Sequence, residues 1–184
     1  MSTTTKELVF AFLVLALTAG HASGQGYRGP YGFGSTPTRE ELAAFYSIPA
    51  NGTGLPPGKG NYVQGQEVYT GKCVACHGDK MQGVAGAGEA LIGGRGTLTS
   101  GKPLKTVESY WPYATTVFDY VKRAMPFNSP GSLTDDEVYA VTAYILVEAK
   151  IINKDAIINA KTLPKVEMPN RDGFVPDPRP DVHD

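Results

Sequence analysis

Cys73-Val74-Ala75-Cys76-His77 is the stretch whose reading decides the fold. Two thiols stand three positions apart on a helical turn, and an imidazole follows at once. That order matches one edge of a porphyrin. Each thiol can add across a vinyl group to form a thioether, and the next residue then falls beneath the iron as an axial ligand. Three plainer readings compete. A Cys-x-x-Cys pair serves thioredoxin-like redox chemistry, but that chemistry comes with a βαβ pattern, and none surrounds this pair. A zinc site needs about four ligands. The chain holds two cysteines and three histidines, and His21 lies in a segment expected to be removed. A structural disulfide leaves His77 without a purpose. The pentapeptide therefore predicts one covalently attached haem c, held by Cys73 and Cys76, with His77 on the iron.

Working outward, residues 63–70 read as a first helix that carries Val68 and Tyr69 inward and runs into the pentapeptide, with Gly78 at its C-cap. Residues 83–101 are glycine-rich, which lets backbone lie close to a flat cofactor; Leu91 and Ile92 are the expected lining residues. Between Lys105 and Ala124 the apolar residues are helix-spaced, but Pro112 cannot sit inside a helix. The spacing predicts a short helix before Pro112 and a longer one over 114–124. A final helix is expected over 134–149. Thr134 is its N-cap, Asp135, Asp136 and Glu137 fill the dipole-favoured first turn, and Glu137 completes a capping box.

Iron with one histidine needs a sixth ligand if it is to shuttle electrons without binding oxygen. Met81 is close in sequence to His77 and poorly placed to cross to the other haem face. Met168 and His183 lie in the tail. Met125 sits in Arg123-Ala124-Met125-Pro126-Phe127, between two helices, where Pro126 holds it extended. Met125 is the preferred ligand against the plainer reading of a core filler. His/Met ligation raises the reduction potential and favours one-electron transfer. Trp111, Tyr113 and Arg95 are candidate partners for the haem propionates, with ordinary packing as the alternative for the aromatics.

The flanks differ from this module. Residues 8–17 are an uninterrupted apolar run after Lys6, and small residues follow at Ala19, Gly20, Ala22, Ser23 and Gly24. This is the pattern of a signal peptide over 1–24, cleaved near residues 22–24. The run is short of the roughly 20 residues a membrane span needs. Export to the periplasm is expected, with no membrane span in the mature chain. Residues 25–60 form a Gly/Pro-rich arm with a short helix at 38–46, opened by Thr38 with Glu40 and Glu41 in its first turn. Residues 61–150 make the helical domain. Residues 151–184 form a Pro-rich extension, a surface-hugging or partner-binding tail too poor in apolar residues to fold alone. Net charge is −1, and nothing in the composition suggests nucleic acid. Between Lys72 and Arg123 seven basic residues face four acidic ones. That surplus is either a surface steering an acidic redox partner or a merely solvated one.

Together, the first helix, Cys-x-x-Cys-His, glycine-rich loop, Met-Pro and capped helix ending Ala143-Tyr144-Ile145-Leu146 resemble a class I cytochrome c, an all-α fold. More narrowly, Gly54-Leu55-Pro56-Pro57-Gly58, residues 109–116, Arg123-Ala124-Met125-Pro126-Phe127, Leu163-Pro164-Lys165-Val166 and residues 168–174 resemble the haem subunit of sulfur (sulfane) dehydrogenase of the bacterial thiosulfate-oxidising Sox system. That family is related to the cytochrome subunits of sulfite dehydrogenases. The likeness covers roughly residues 50–184. It implies a molybdenum-cofactor dehydrogenase subunit as electron donor and a small soluble cytochrome c as acceptor, and it matches His77 and Met125 to the family's axial ligands. Some members carry a second haem domain, whereas this chain has one Cys-x-x-Cys-His. The chain is then the non-catalytic electron-transfer subunit of an oxidoreductase. A free-standing soluble carrier is the alternative, and a catalytic or ligand-binding haem with an open sixth position is a third.

Overall fold

The computed structural model describes residues 33–44 and 47–177 and divides the chain into two units, 1–46 and 47–184. The expected signal peptide, the first part of the N-terminal arm, His183 and the rest of 178–184 lie outside the described residues. The first unit contains α1 (Arg39–Ala44). Its start is the one expected: Thr38 Oγ1 accepts the Glu41 N–H at 3.1 Å, and the Glu41 carboxylate accepts the Thr38 N–H at 2.8 Å.

The second unit is ordered as β1 (Lys59–Gly60), α2 (Tyr62–Lys72), α3 (Val74–His77), α4 (Ala114–Ala124), α5 (Asp135–Glu148), β2 (Ile158–Asn159) and a 3₁₀ turn at Leu163–Lys165. Helix α5 is its centre. Thr134 Oγ1 accepts the Glu137 N–H at 3.3 Å and the Glu137 carboxylate accepts the Thr134 N–H at 2.8 Å, so the expected capping box forms. Lys72, paired with Glu137 at 2.8 Å, holds that carboxyl below its usual range, helped by the Thr134 N–H. From Val138 to Leu146 every residue of α5 is buried. A helix apolar on all sides needs cover on all sides. Helices α2 and α4 and both strands pack on it.

The α2–α5 crossing is close because α2 presents Gly65. A Cβ at Gly65 would stand 2.0 Å from the Ala140 carbonyl oxygen and 2.6 Å from the Tyr144 Cβ. Tyr62 and Tyr69 flank the crossing with ring centroids 5.1 and 5.3 Å from that of Tyr144, a separation at which aromatic pairs attract. Gly60 makes the same kind of approach to the Ala140 amide.

The flanking segments belong to this core. β1 and β2 pair antiparallel, Lys59 opposite Asn159 and Gly60 opposite Ile158, a ladder the helix-dominated reading did not anticipate. Tyr139 donates its hydroxyl proton to the Pro56 carbonyl at 2.9 Å. In the tail Leu163 and Met168 are buried, Asn170 Nδ2 donates to the Tyr110 carbonyl at 2.7 Å, and Phe174 meets the Tyr110 ring edge-on.

One expected element is absent among the described residues. In place of a short helix before Pro112 there is a turn over 107–110. Thr106 and Ser109 begin that turn, and Pro112 ends it. The Ser109 hydroxyl accepts the Thr106 N–H at 3.0 Å, the Thr106 hydroxyl accepts the Ser109 N–H at 3.1 Å, and Ser109 Oγ donates to the Leu104 carbonyl. These bonds cap a single turn, closed by the Tyr110 N–H on the Thr106 carbonyl at 3.0 Å, and Pro112, with no N–H to give, stops it there. The longer helix runs over Ala114–Ala124 as the spacing predicts.

The crossing makes a test on two glycines of α2. Gly65→Ala should destabilise by about 2–3 kcal/mol or prevent folding, because backbone cannot yield to the added methyl. Gly71, with nothing within 4 Å of an added Cβ, should tolerate alanine and gain up to about 1 kcal/mol. Urea unfolding of both variants reads the difference, and equal effects would show that the contact at Ala140 is not limiting.

Candidate functional site

α2 ends at Lys72, and Cys73, with φ −125° and ψ −34°, breaks the helix before α3 resumes. The break gives the two thiols different surroundings. Cys73 is half-buried and packed on the core, whereas Cys76 is exposed, and neither forms a disulfide. Burial pushes the Cys73 thiol up to about 11. A thioredoxin-like dithiol needs a lowered, nucleophilic thiol, so this pair is unsuited to that chemistry. Among the described residues no group of three or more His, Cys, Asp or Glu side chains is placed to hold a metal ion. The zinc reading therefore has no supporting cluster there.

His77 ends α3 with its Nδ1 2.7 Å from the Glu89 carbonyl oxygen. A carbonyl can only accept, so Nδ1 carries a proton, and in the neutral ring it is Nε2 that offers the lone pair. That is the tautomer a metal-binding imidazole needs, with the other ring nitrogen fixed by an acceptor. The glycine-rich loop makes the contact. At Gly88 a Cβ would come within 2.7 Å of the Cys76 carbonyl oxygen, so only glycine lets the loop lie that close and set the next carbonyl on the imidazole. Gly83 donates to the His77 carbonyl at 2.8 Å, and Leu91 to that of Met81 at 2.9 Å. On the other side Gly78 caps α3 at φ 79°, and its carbonyl accepts the buried Tyr69 hydroxyl at 2.7 Å. Sequence reasoning missed Glu89, which acts through its backbone, and the Tyr69 hydroxyl. The run of glycines was the available signal for the loop.

Three methionines divide clearly. Met81 and Met168 are 1% and 3% exposed and belong to the core. Met125 is half-buried with φ −119° and ψ 149°, extended as its place before Pro126 requires. Cys73, Leu91, Ile92, Trp111 and Met125 are all partly buried and packed on the same core. Trp111 stands edge-on to Tyr120 with centroids 5.6 Å apart, and Tyr113 is exposed at the start of α4. Arg95 is engaged by the protein itself: its Nε pairs with Glu108 Oε1 at 2.6 Å, and a terminal nitrogen donates to the Ala149 carbonyl at 2.6 Å. Lys72, Lys122 and Arg123 likewise pair with Glu137, Asp135 and Asp119. Four of the seven basic residues between Lys72 and Arg123 are thus matched within the chain, which reduces the surplus that could steer a partner.

This donor set fits haem c. Two thiols precede an imidazole whose Nδ1 is already engaged, and the half-buried Met125 thioether at the edge of the core would suit a second ligand.

Comparison with known proteins agrees. A family model described as cytochrome c matches residues 62–147, from the start of α2 into the last turn of α5. A chain in the crystal structure of the sulfane dehydrogenase SoxCD from Paracoccus pantotrophus is 39% identical, with a TM-score of 0.71, and the match covers 81% of this chain and 73% of that one. A thiosulfate dehydrogenase from Stutzerimonas stutzeri (strain A1501) is 29% identical over 114 residues, 59% of this chain and 33% of that protein. The chain thus spans about a third of the length of the curated relative it matches.

The unequal thiols predict unequal reactivity before any cofactor is attached. At pH 8 roughly one Cys73 side chain in a thousand is thiolate, the reactive form. Iodoacetamide should therefore modify Cys76 first. Labelling of Cys73 should rise about tenfold per pH unit between 8 and 10. Mass spectrometry of the labelled peptides reads both rates, and a pH-independent Cys73 rate would contradict the burial argument.

Proposed function

This chain belongs to the cytochrome c family, and from that premise we propose that it is an exported mono-haem subunit passing single electrons from a molybdenum-cofactor dehydrogenase to a small soluble cytochrome c. Its established class is coarser: a haem protein of electron transfer, related to components of sulfur-oxidising dehydrogenases. The donor's substrate would be sulfane or sulfite sulfur. The observation that carries the haem assignment is the His77 Nδ1–Glu89 bond, which leaves Nε2 free for iron. The likeness to the SoxCD chain, which extends well beyond the family-model match, supports the subunit role. The tail, with Leu163 and Met168 buried and Asn170 bonded to the Tyr110 carbonyl, is the observation that favours the alternative of a free-standing carrier.

In this reading Cys73 and Cys76 would hold the porphyrin, and His77 and Met125 would supply the iron's two protein ligands. When bound, haem supplies a one-electron iron couple. The protein's part would be to give the iron both His77 and Met125, leaving no place for substrate or dioxygen. The Glu89 carbonyl would make the imidazole a stronger donor by accepting a hydrogen bond from its Nδ1–H, while the neutral thioether of Met125 would favour the reduced state. Trp111, and the guanidinium N–H groups of Arg95 left over from Glu108 and Ala149, are the proposed propionate donors. Among the described residues no helix is long and apolar enough to cross a membrane.

The oxidised holoprotein should show the weak far-red band of an iron–methionine bond. Met125→Ala should lose that band completely, lower the reduction potential, and gain carbon monoxide binding in the reduced state. A band that survives the substitution would place the sixth ligand elsewhere. Carbon monoxide binding by the unaltered protein at neutral pH would favour a ligand-binding haem instead. Purification from the periplasm as a stoichiometric complex with a molybdenum subunit would support the partner, and a stable monomer would favour the free-standing carrier.

A further inference from the structure

Glu108 is a largely buried carboxylate, its side chain 15% exposed, for which electron transfer assigns no role. One of its oxygens takes the Arg95 guanidinium, and the other accepts the Gly93 N–H. On the opposite side of that residue the Thr106 hydroxyl donates to the Gly93 carbonyl at 2.7 Å. Gly93 is therefore gripped through both its donor and its acceptor. Arg95 extends the grip to the end of α5 through the Ala149 carbonyl, where a cation also suits the helix dipole. Gly94 follows at φ 82°, so close to Leu104 that a Cβ would stand 2.3 Å from its carbonyl oxygen.

The gripped loop is the one that reaches His77. From Gly88, pressed on Cys76, to Gly93 the chain has a short path, tied between these ends by the Leu91–Met81 bond. Glu89, whose carbonyl holds the imidazole proton, lies within it. We infer that Glu108 and Thr106 are positioning residues for the axial histidine: by clamping Gly93 they hold the loop that keeps the Glu89 carbonyl on His77 Nδ1. The inference rests on His77 being the iron ligand. It assigns the strength of that ligand to two side chains that do not touch it. Loosening the clamp lengthens the Nδ1–carbonyl bond, makes the imidazole a poorer donor, and moves the reduction potential upward.

The test uses the holoprotein with Thr106→Val, Thr106→Ser and Glu108→Gln, read by redox titration and by hydrogen exchange of the His77 Nδ1 proton and the Gly93 amide. Thr106→Val carries no charge change, so it separates positioning from electrostatics. The expected result is faster Nδ1 exchange and a higher potential in both Thr106→Val and Glu108→Gln, with Thr106→Ser close to the unaltered protein because it keeps the hydroxyl. An upward shift confined to Glu108→Gln, and abolished by adding Arg95→Gln, would show a charge effect and overturn the inference. So would loss of Gly93 protection in Thr106→Val with Nδ1 exchange and potential unchanged. If Glu108→Gln fails to fold, the two Thr106 variants decide alone. Failure of the underlying reading is seen separately, as an iron spectrum that His77→Ala leaves unaltered.

Discussion

Helix α2 can lie against α5 only because Gly65 removes a side chain where the Ala140 carbonyl would otherwise be met at 2.0 Å. Much follows from that contact. Tyr62 and Tyr69 close on the Tyr144 ring at either side of it, and Tyr69 then has its hydroxyl within reach of Gly78. The register of α2 on α5 thereby sets where Cys73 leaves one helix and where His77 ends the next. A cofactor joined through two thioethers cannot adapt to a misplaced helix, so the crossing governs the site as well as the core. Buried from Val138 to Leu146, α5 also needs cover that α2 and α4 do not complete. The β1–β2 ladder packs on it as well, and so residues flanking the central helices are part of the same unit.

The site works mainly through backbone. Glu89 contributes a carbonyl, Gly78 and Gly83 contribute peptide groups to the turn around His77, and Gly88 contributes an absent side chain. Glycine costs conformational entropy on folding. Here that cost is offset by contacts that a Cβ would forbid. The charges follow a similar economy. Arg95, Lys122 and Arg123 are held by carboxylates of the same chain, of which Glu108 and Asp119 are largely buried. Their effect is to leave less free positive charge for recognition of a partner.

Several features were legible in the sequence for reasons that are local. The pentapeptide names its own chemistry, since thiol, thiol and imidazole must follow one another in that order to meet one porphyrin edge. Thr134 with Glu137, and Thr38 with Glu41, are capping boxes closed within four residues. Pro126 fixes the extended backbone of Met125. The short helix expected before Pro112 is cut to one turn for an equally local reason, because Pro112 has no N–H with which to extend it.

By itself the sequence determined the all-α class and the ends of α4 and α5, and it pointed to a haem-attachment role for Cys73, Cys76 and His77, because each depends on neighbours a few residues apart. Only the tertiary structure decided the imidazole tautomer, which of the methionines are core, the pairing of Arg95 with Glu108, and the seating of Leu163 and Met168. Those depend on groups brought together across the fold: Glu89 is 12 residues from His77, and Arg95 meets Ala149 54 residues away. No periodicity or motif encodes such meetings, since packing around α5 decides which side chains and carbonyls are left within hydrogen-bonding reach.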